Sequence, residues 1–276
     1  CIRDSLSAAV RGERFAVIPA CRRPEGAGRL RPTLLDVSEP QGEPSYPPLR
    51  AERRSARRER SAAALLVLGL VLCVGAYVAA VHARGASFSW RRAMISDLGR
   101  TICRDWHGFW VCSPRADLFN VAVGVAGACI LTAGVLTHDR LGRSLTAALV
   151  CLGVGLVWVA VFPADGAIGV HMVGGVLALP APSVLLLAHG LVGVRSAGSR
   201  GDRDRFASER EPRHTLTRVL GALGAVSSLM SLDHVMPAPA PIPRGVAEGV
   251  SLLALAVALV VVAFDLLRRP RDITAP

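Results

Sequence analysis

The sequence Ile95-Ser96-Asp97-Leu98-Gly99-Arg100 opens a polar connector that runs as far as Asn120. An apolar segment precedes this connector and another follows it, and the rest of the chain repeats the alternation. A helix needs about 20 mostly apolar residues to cross the hydrocarbon core of a bilayer. The alternation therefore predicts an all-α fold, a polytopic membrane helix bundle whose helices are joined by short polar connectors.

Six apolar segments meet this length requirement, and they predict a six-helix transmembrane domain over residues 62–268. In chain order the predicted spans are Ala62 to His82, Leu118 to Thr137, Leu145 to Phe162, Ile168 to Val194, Val219 to Met236 and Ala247 to Leu267. Pro180 and Pro182 fall inside the fourth span and predict a kink there. Membrane helices tolerate proline because neighbouring groups satisfy the freed carbonyls.

The two ends of the chain differ from the six-span region in composition. Residues 1–61 combine proline, glycine and charge, as in Glu39-Pro40-Gln41-Gly42-Glu43-Pro44. Such segments bury too little apolar surface to offset the entropy of ordering. We therefore expect residues 1–61 to form a disordered tail and residues 269–276 to form a short second tail.

The distribution of arginine predicts the orientation. With the N-terminus inside, the cytoplasmic flanks hold six arginines from Arg50 to Arg60 and seven from Arg195 to Arg218, whereas the connector between the third and fourth spans holds none. Basic residues favour the cytoplasmic side, so both tails are expected to be cytoplasmic in a multi-pass protein of the plasma membrane. The outer connector from Arg84 to Arg115 departs from the pattern with six arginines, which predicts anionic partners such as lipid headgroups.

The formal net charge of +11 raises the question of nucleic-acid binding. The arginines of the six-span region flank membrane helices, and no recognised nucleic-acid-binding motif is present. The expected partners are therefore membrane lipids and not nucleic acids. The sequence gives no indication of the oligomeric state.

Cys103 and Cys112 lie in the predicted outer connector, where an oxidising environment allows a disulfide. A zinc site is the competing interpretation, but no second close cysteine pair and no His-x-x-x-His spacing accompanies them. Cys73, Cys129 and Cys151 lie within predicted spans, where cysteine behaves as a small apolar residue. We predict that Cys103 and Cys112 form a disulfide.

Several short motifs, taken in order, resemble one family. They are Ile95-Ser96-Asp97-Leu98-Gly99-Arg100, Cys112-Ser113-Pro114-Arg115, Leu118-Phe119-Asn120, Phe162-Pro163-Ala164-Asp165, His171 and Gly245-Val246-Ala247-Glu248. Over residues 62–268 the chain resembles the domain of unknown function 998 family of bacterial membrane proteins, and that resemblance implies six helices and no established activity. The Ser-Asp-Leu-Gly element also resembles, more distantly, one in the Frag1/DRAM/Sfk1 membrane proteins, which are linked to lipid handling. Where the family often has Glu-Arg, this chain has Glu248-Gly249.

Polar side chains from separate connectors are predicted to meet at the outer ends of the helices. Ionisable groups near the membrane are costly unless they are paired or functional. Helix capping is the alternative, because Asp117 and Asp165 precede or begin helices and Glu248 begins one, where an acid is favoured. The candidates for a shared polar pocket are Ser96, Asp97, Arg100, Asn120, Asp165, His171, Asp233, His234 and Glu248.

Two functions fit such a pocket. In the first, the protein binds or handles lipid, and the polar pocket holds a headgroup. In the second, it is a metal-dependent membrane hydrolase that acts on a lipid or an amphiphile, since carboxylate and imidazole bind divalent metals that activate water. The candidate metal ligands are Asp97, Asp165, His171 and His234. The sequence requires no cofactor, and the spans carry too little charge to favour a channel or a transporter. We favour lipid binding.

Overall fold

The structure is a computed structural model that describes residues 49–84, 88–89, 91, 93–106, 109–199, 207–231 and 242–268. This part of the chain is mostly helical. The helices are α1 (Leu49–Arg84), α2 (Ala116–Leu136), α3 (His138–Leu141), α4 (Arg143–Val161), α5 (Ile168–Ala178), α6 (Pro180–Ser199), α7 (Ala207–Ser231) and α8 (Arg244–Arg268). Between α1 and α2 lie a 3-10 helix, Ile95–Gly99, and a hairpin of the short strands β1 (Arg104–Trp106) and β2 (Phe109–Val111).

Five helical segments in the described part are long and apolar enough to cross a membrane. They are Arg53–Arg84, Ala116–Leu136, Arg143–Val161, Ile168–Val192 and Arg244–Arg268. Each coincides with one of the predicted spans. Their length and composition indicate a membrane-embedded helical protein, as the alternation of apolar and polar segments predicts.

The predicted fifth span, Val219 to Met236, is not one of these five segments. Helix α7 is long, but its first half is polar, and the apolar run from Val219 to Ser231 is shorter than a span requires. The rest of the predicted span lies outside the described residues. Composition and length therefore support five spans, and the sixth depends on a helix whose apolar part is short.

Helix α7 nevertheless runs along its neighbours and is not a separate surface element. Gly221 lies against Leu187 and Gly190 against Arg218, so α7 is antiparallel to α6. Against α8, Ser228 shares a hydrogen bond of 2.6 Å with Ser251, while Arg213 donates to Asp265 further along. Contacts at both ends of α7 show that it extends along most of the length of α8.

The predicted boundary of the disordered tail at residue 61 is wrong for residues 49–61, which are the first turns of α1. No glycine or proline occurs between Leu49 and Leu68, and alanine, arginine and glutamate are strong helix formers. Glu59 also forms an ion pair of 2.6 Å with Arg140, which fixes this end of α1 to α3. Residues 1–48 and 269–276, the rest of the predicted tails, lie outside the described residues.

The kink predicted in the fourth span lies at Leu179, between α5 and α6. Pro180 is the first residue of α6, where its missing N–H costs nothing. Because of the kink, α5 and α6 pack against different sets of helices. Helix α5 packs against α4, whereas α6 packs against both α4 and α7.

The helices close into a ring in the order α1, α2, α4, α5 with α6, α7 and α8, and α8 packs back on α1. Some seams in this ring depend on small residues. A Cβ at Gly153 of α4 would lie 2.6 Å from the backbone nitrogen of Leu131 and 2.8 Å from the carbonyl oxygen of Gly127 in α2. Glycine at these positions lets two helix backbones come into contact, a common mode of packing in membranes.

Cys103 and Cys112 form the predicted disulfide, with their Cα atoms 4.3 Å apart. The two residues flank the hairpin, in which Arg104 pairs with Val111 and Trp106 with Phe109. The disulfide therefore closes the open end of the hairpin just before the chain enters α2. The zinc interpretation is wrong for this pair.

Candidate functional site

The residues from Met94 to Ile102, called the roof segment below, lie over one end of the helix ring. This end, where residues 93–115 connect α1 to α2, is called the loop end. Leu98 and Gly99 are buried in the roof segment, together with Asp97 and Arg100. A buried irregular segment must find partners for its backbone polar groups. Polar side chains from three parts of the fold and from the segment itself supply those partners.

Glu248, in the first turns of α8, holds the start of the 3-10 helix. Its carboxylate accepts hydrogen bonds from the backbone N–H groups of Ile95 and Ser96, the latter at 3.3 Å. These N–H groups belong to the first turn, which has no acceptor within its own helix. The Glu248 side chain is buried, so it links α8 to the roof segment through a contact that is screened from water.

Asp97 lies within the roof segment and accepts hydrogen bonds from two other residues of it. One carboxylate oxygen accepts a hydrogen bond from the backbone N–H of Met94 at 2.9 Å, and the other accepts one from Nε–H of Arg100 at 2.7 Å. Both side chains of the ion pair are almost fully buried. The spacing of three residues places the two side chains on one side of the short helix. The Asp-x-x-Arg spacing of the motif is thus explained by an internal ion pair.

Asp165, in the connector between α4 and α5, holds the other end of the roof segment. A single carboxylate oxygen accepts the backbone N–H groups of Thr101 and Ile102, each at 2.6 Å, and the Thr101 hydroxyl at 2.8 Å. Burial acts to raise the pKa of this carboxyl, but the hydrogen bonds from Thr101 and Ile102 outweigh it. The pKa of Asp165 is therefore lowered below its ordinary value.

Two further side chains fix the middle of the roof segment. Asn120, in the first turns of α2, donates to the carbonyl oxygen of Gly99 at 2.8 Å, and Ser113 donates to that of Leu98 at 2.6 Å. A Cβ at Gly99 would overlap the side-chain oxygen of Asn120. A side chain at this position would therefore displace the Asn120 amide that holds the roof segment.

His171, in α5, binds the end of α4. Its Nδ1 lies 2.7 Å from the carbonyl oxygen of Phe162, and Trp158 of α4 donates to the carbonyl oxygen of Val170 at 2.8 Å. These two contacts fix the position of α5 beside α4. His171 is buried, with Asp97, Asp165 and Arg100 near enough to act on it electrostatically.

A cavity of about 1190 Å³ lies inside the helix ring beneath the roof segment. Its wall is apolar, with side chains such as Val123, Leu156, Met172 and Leu255 from α2, α4, α5 and α8. The polar lining residues lie mainly in the roof segment and at the ends of α5, α7 and α8 that meet it. They are Tyr77, Ser96, Asp97, Arg100, His171, Ser228, Ser231, Arg244 and Glu248.

The sequence-predicted site residues separate into three groups. Ser96, Asp97, Arg100, His171 and Glu248 line the cavity. Asn120 and Asp165 bind the roof segment from its other sides and are not lining residues. Asp233 and His234 lie outside the described residues.

Helix capping does not account for the acids named as caps. The residues that cap α2 and α5 are Arg115 and Ala167, neither of which makes a side-chain capping bond. Asp165 instead binds the roof segment across the fold. The alternative interpretation of Asp117 and Asp165 as N-caps is therefore wrong.

Sequence reasoning missed Arg244 and Tyr77, which also line the cavity. Tyr77 is the one tyrosine within the predicted first span, and a phenol in an apolar span usually has a polar partner. That signal could have placed it at the site.

The described residues contain no group of three or more His, Cys, Asp or Glu side chains that could hold a metal ion. Both carboxylate oxygens of Asp97 and one carboxylate oxygen of Asp165 accept hydrogen bonds from N–H groups of the roof segment. Of the four metal ligands predicted, Asp97, Asp165 and His171 therefore do not form a metal site together. His234 lies outside the described residues.

A search of curated proteins and a search of solved structures found no match to the chain. The more distant likeness to the Frag1/DRAM/Sfk1 proteins stays a prediction. One family, described as a protein of unknown function (DUF998), matches residues 67–265, which include the whole roof segment and all or most of each candidate membrane helix. The predicted resemblance is confirmed, and the chain belongs to the DUF998 family.

Proposed function

We propose that this protein binds a membrane lipid, with the acyl chains in the cavity of the helix ring and the headgroup beneath the roof segment. The observation that carries the proposal is the distribution of polarity in the cavity. Its wall is apolar along the helices and its polar groups gather at the loop end. An amphiphile has the same division between an apolar body and a polar end.

The size of the cavity supports a ligand of this class. Small-molecule sites usually enclose about 300–1,000 Å³, and the cavity of about 1190 Å³ exceeds that range. An apolar volume of this size suits long hydrocarbon chains better than a compact polar metabolite. The polar end carries the imidazole of His171 and the guanidinium groups of Arg100 and Arg244, so it suits a headgroup with hydrogen-bond acceptors.

The proposed orientation places the roof segment outside the cytoplasm, in a plasma membrane protein with six spans and both termini cytoplasmic. Arginine is concentrated at the opposite end of the bundle, for example between Arg50 and Arg60, as expected for a cytoplasmic face. The disulfide at the loop end fits an oxidising compartment. Helix α7 serves as the fifth span because it runs along α6 and α8, which supply the apolar surface that it lacks.

Native mass spectrometry of the detergent-extracted protein tests the proposal. Gly175 lines the cavity and a Cβ there meets no atom within 4 Å, so Gly175→Leu adds a side chain at the cavity wall with no clash at its Cβ. Gly169, on the same helix, is equally open but is not a lining residue, so Gly169→Leu is the matched control.

We expect the wild-type protein and Gly169→Leu to carry a bound lipid mass, and Gly175→Leu to lose most of it. A wild-type protein without bound lipid, or equal retention by both variants, would overturn the proposal. Folding of each variant is checked by its thermal transition.

A further inference from the structure

The cavity is open at its side as well as covered at its loop end. Five of its lining residues are exposed, and four of them lie on two helices, α5 and α8, while the fifth, Val74, lies on α1. On α5, Ile168 and Val176 are 46% and 44% exposed, and on α8, Val246 and Leu253 are 36% and 64% exposed. A residue that lines a cavity and is also exposed lies at the mouth of that cavity.

The lining residues form a continuous stripe on each helix. On α8 they include Val246, Gly249, Leu253 and Ala256, at intervals of three, four and three residues, which lie along one edge of the helix. On α5 they include Met172, Gly175 and Val176, all within two turns. Helix α5 packs chiefly on α4 and α6, and α8 packs on α7 and α1, so each stripe lies on an edge that these partners leave open.

The mouth is apolar and lies along helices of membrane-spanning composition, so hydrocarbon surrounds it. Val246 and Leu253 are separated along the α8 axis by about 10 Å at 1.5 Å per residue. One leaflet contributes about 15 Å, half of the hydrocarbon core. Both helices begin at the loop end, so the mouth extends over the depth of the leaflet on that side.

From these observations we infer that the ligand is a bilayer lipid that enters sideways, between α5 and α8, from the leaflet at the loop end. This inference rests on the proposed function and adds the source and route of the ligand. The roof segment is held by Glu248, Asp165 and Asn120, so it stays in place while the chains slide in from the membrane.

The test uses the full-length protein in nanodiscs that contain a phospholipid with a photoreactive group in mid-chain. After irradiation, cross-links are mapped to peptides, and the informative positions are Leu156 and Leu255, which are buried and line the cavity. The blocked variant is Val176→Trp with Leu253→Trp. Its control is Val173→Trp with Val260→Trp, two exposed positions on the same helices that do not line the cavity.

We expect cross-links at Leu156 and Leu255 in the wild type and in the control, and a severalfold loss in the blocked variant. Equal labelling of the blocked and control variants would exclude entry between α5 and α8. A photoreactive fatty acid supplied from water separates the two proposals and does not depend on the folding of any variant.

If the fatty acid labels these positions in the wild type and the phospholipid does not, lateral entry is wrong and lipid binding stands. If neither probe labels them, both proposals fail.

Discussion

Two glycines on neighbouring helices show how differently the ring is built on its two sides. Gly153 lies where α2 and α4 touch, and a Cβ there would lie 2.6 Å from the backbone of Leu131. Gly175, on α5, lies where the ring stays open, and a Cβ there meets nothing within 4 Å. The first glycine brings two backbones together, whereas the second widens a cavity.

The difference teaches that glycine in this ring brings helix backbones together at the packed seams and leaves space where the ring is open. The α2–α4 seam joins helices by close van der Waals contact, which drives association where the surrounding lipid is as apolar as the helices. On the α5–α8 side the described helices present exposed side chains that line the cavity, such as Val176 and Leu253, and the loop end depends on hydrogen bonds to the roof segment. Perturbing each side should therefore affect different properties.

The largest expected effect comes from placing the same side chain at both glycines. Gly153→Leu forces α2 and α4 apart and should destabilise the protein by roughly 3–5 kcal/mol, since overpacking against backbone cannot relax cheaply. Gly175→Leu should leave the thermal transition nearly unchanged. Thermal unfolding followed by size-exclusion chromatography measures both. Similar losses in the two variants would contradict the division of the ring.

Removing the carboxylate of Glu248 should have the next largest effect, localised at the loop end. Glu248→Ala leaves two buried N–H groups without an acceptor and should cost about 2–3 kcal/mol. Amide hydrogen exchange at Ile95 and Ser96 should speed up while α2 and α4 stay protected. Glu248→Gln keeps one acceptor oxygen and should fall between the wild type and Glu248→Ala. Uniformly faster exchange through the whole ring would show that α8 has lost its packing.

The disulfide stabilises the hairpin beside the roof segment. Replacing Cys103 and Cys112 together by serine should lower stability by roughly 2–3 kcal/mol, because the unfolded chain gains the entropy of an open loop. Reductant should reproduce this loss in the wild type and change nothing further in the double variant. Cys151→Ser, within α4, serves as the control for cysteine removal. A reductant effect that persists in the double variant would point to another cause.

The spans and the grouping of polar residues at the loop end could be predicted from the sequence better than the role of each polar residue. Hydropathy and length suffice for a span because a bilayer imposes both, and they identify five of the six predicted spans, whereas the apolar run of α7 in the described residues is shorter than a span requires. The polar residues were expected to converge, and Asp97, His171 and Glu248 do line one cavity. That Asp165 and Asn120 serve backbone groups of the roof segment depends on contacts between residues far apart in the chain. No local pattern encodes such contacts, and the same applies to the difference between Gly153 and Gly175.

The smallest expected effect is the pH dependence of the loop end. The hydrogen bonds from Thr101 and Ile102 lower the pKa of Asp165 below its ordinary value of 3.8. The ionised carboxylate therefore stabilises the roof segment above that pH, and this contribution is lost as the pH falls through the lowered pKa. Exchange at the amides of Thr101 and Ile102, corrected for its intrinsic pH dependence, should become faster below about pH 4. Asp165→Asn should exchange faster at neutral pH and lose that acid-induced change, whereas the amides of α2 and α4 should not respond. If the acid-induced change persists in Asp165→Asn, another group controls this end of the roof segment.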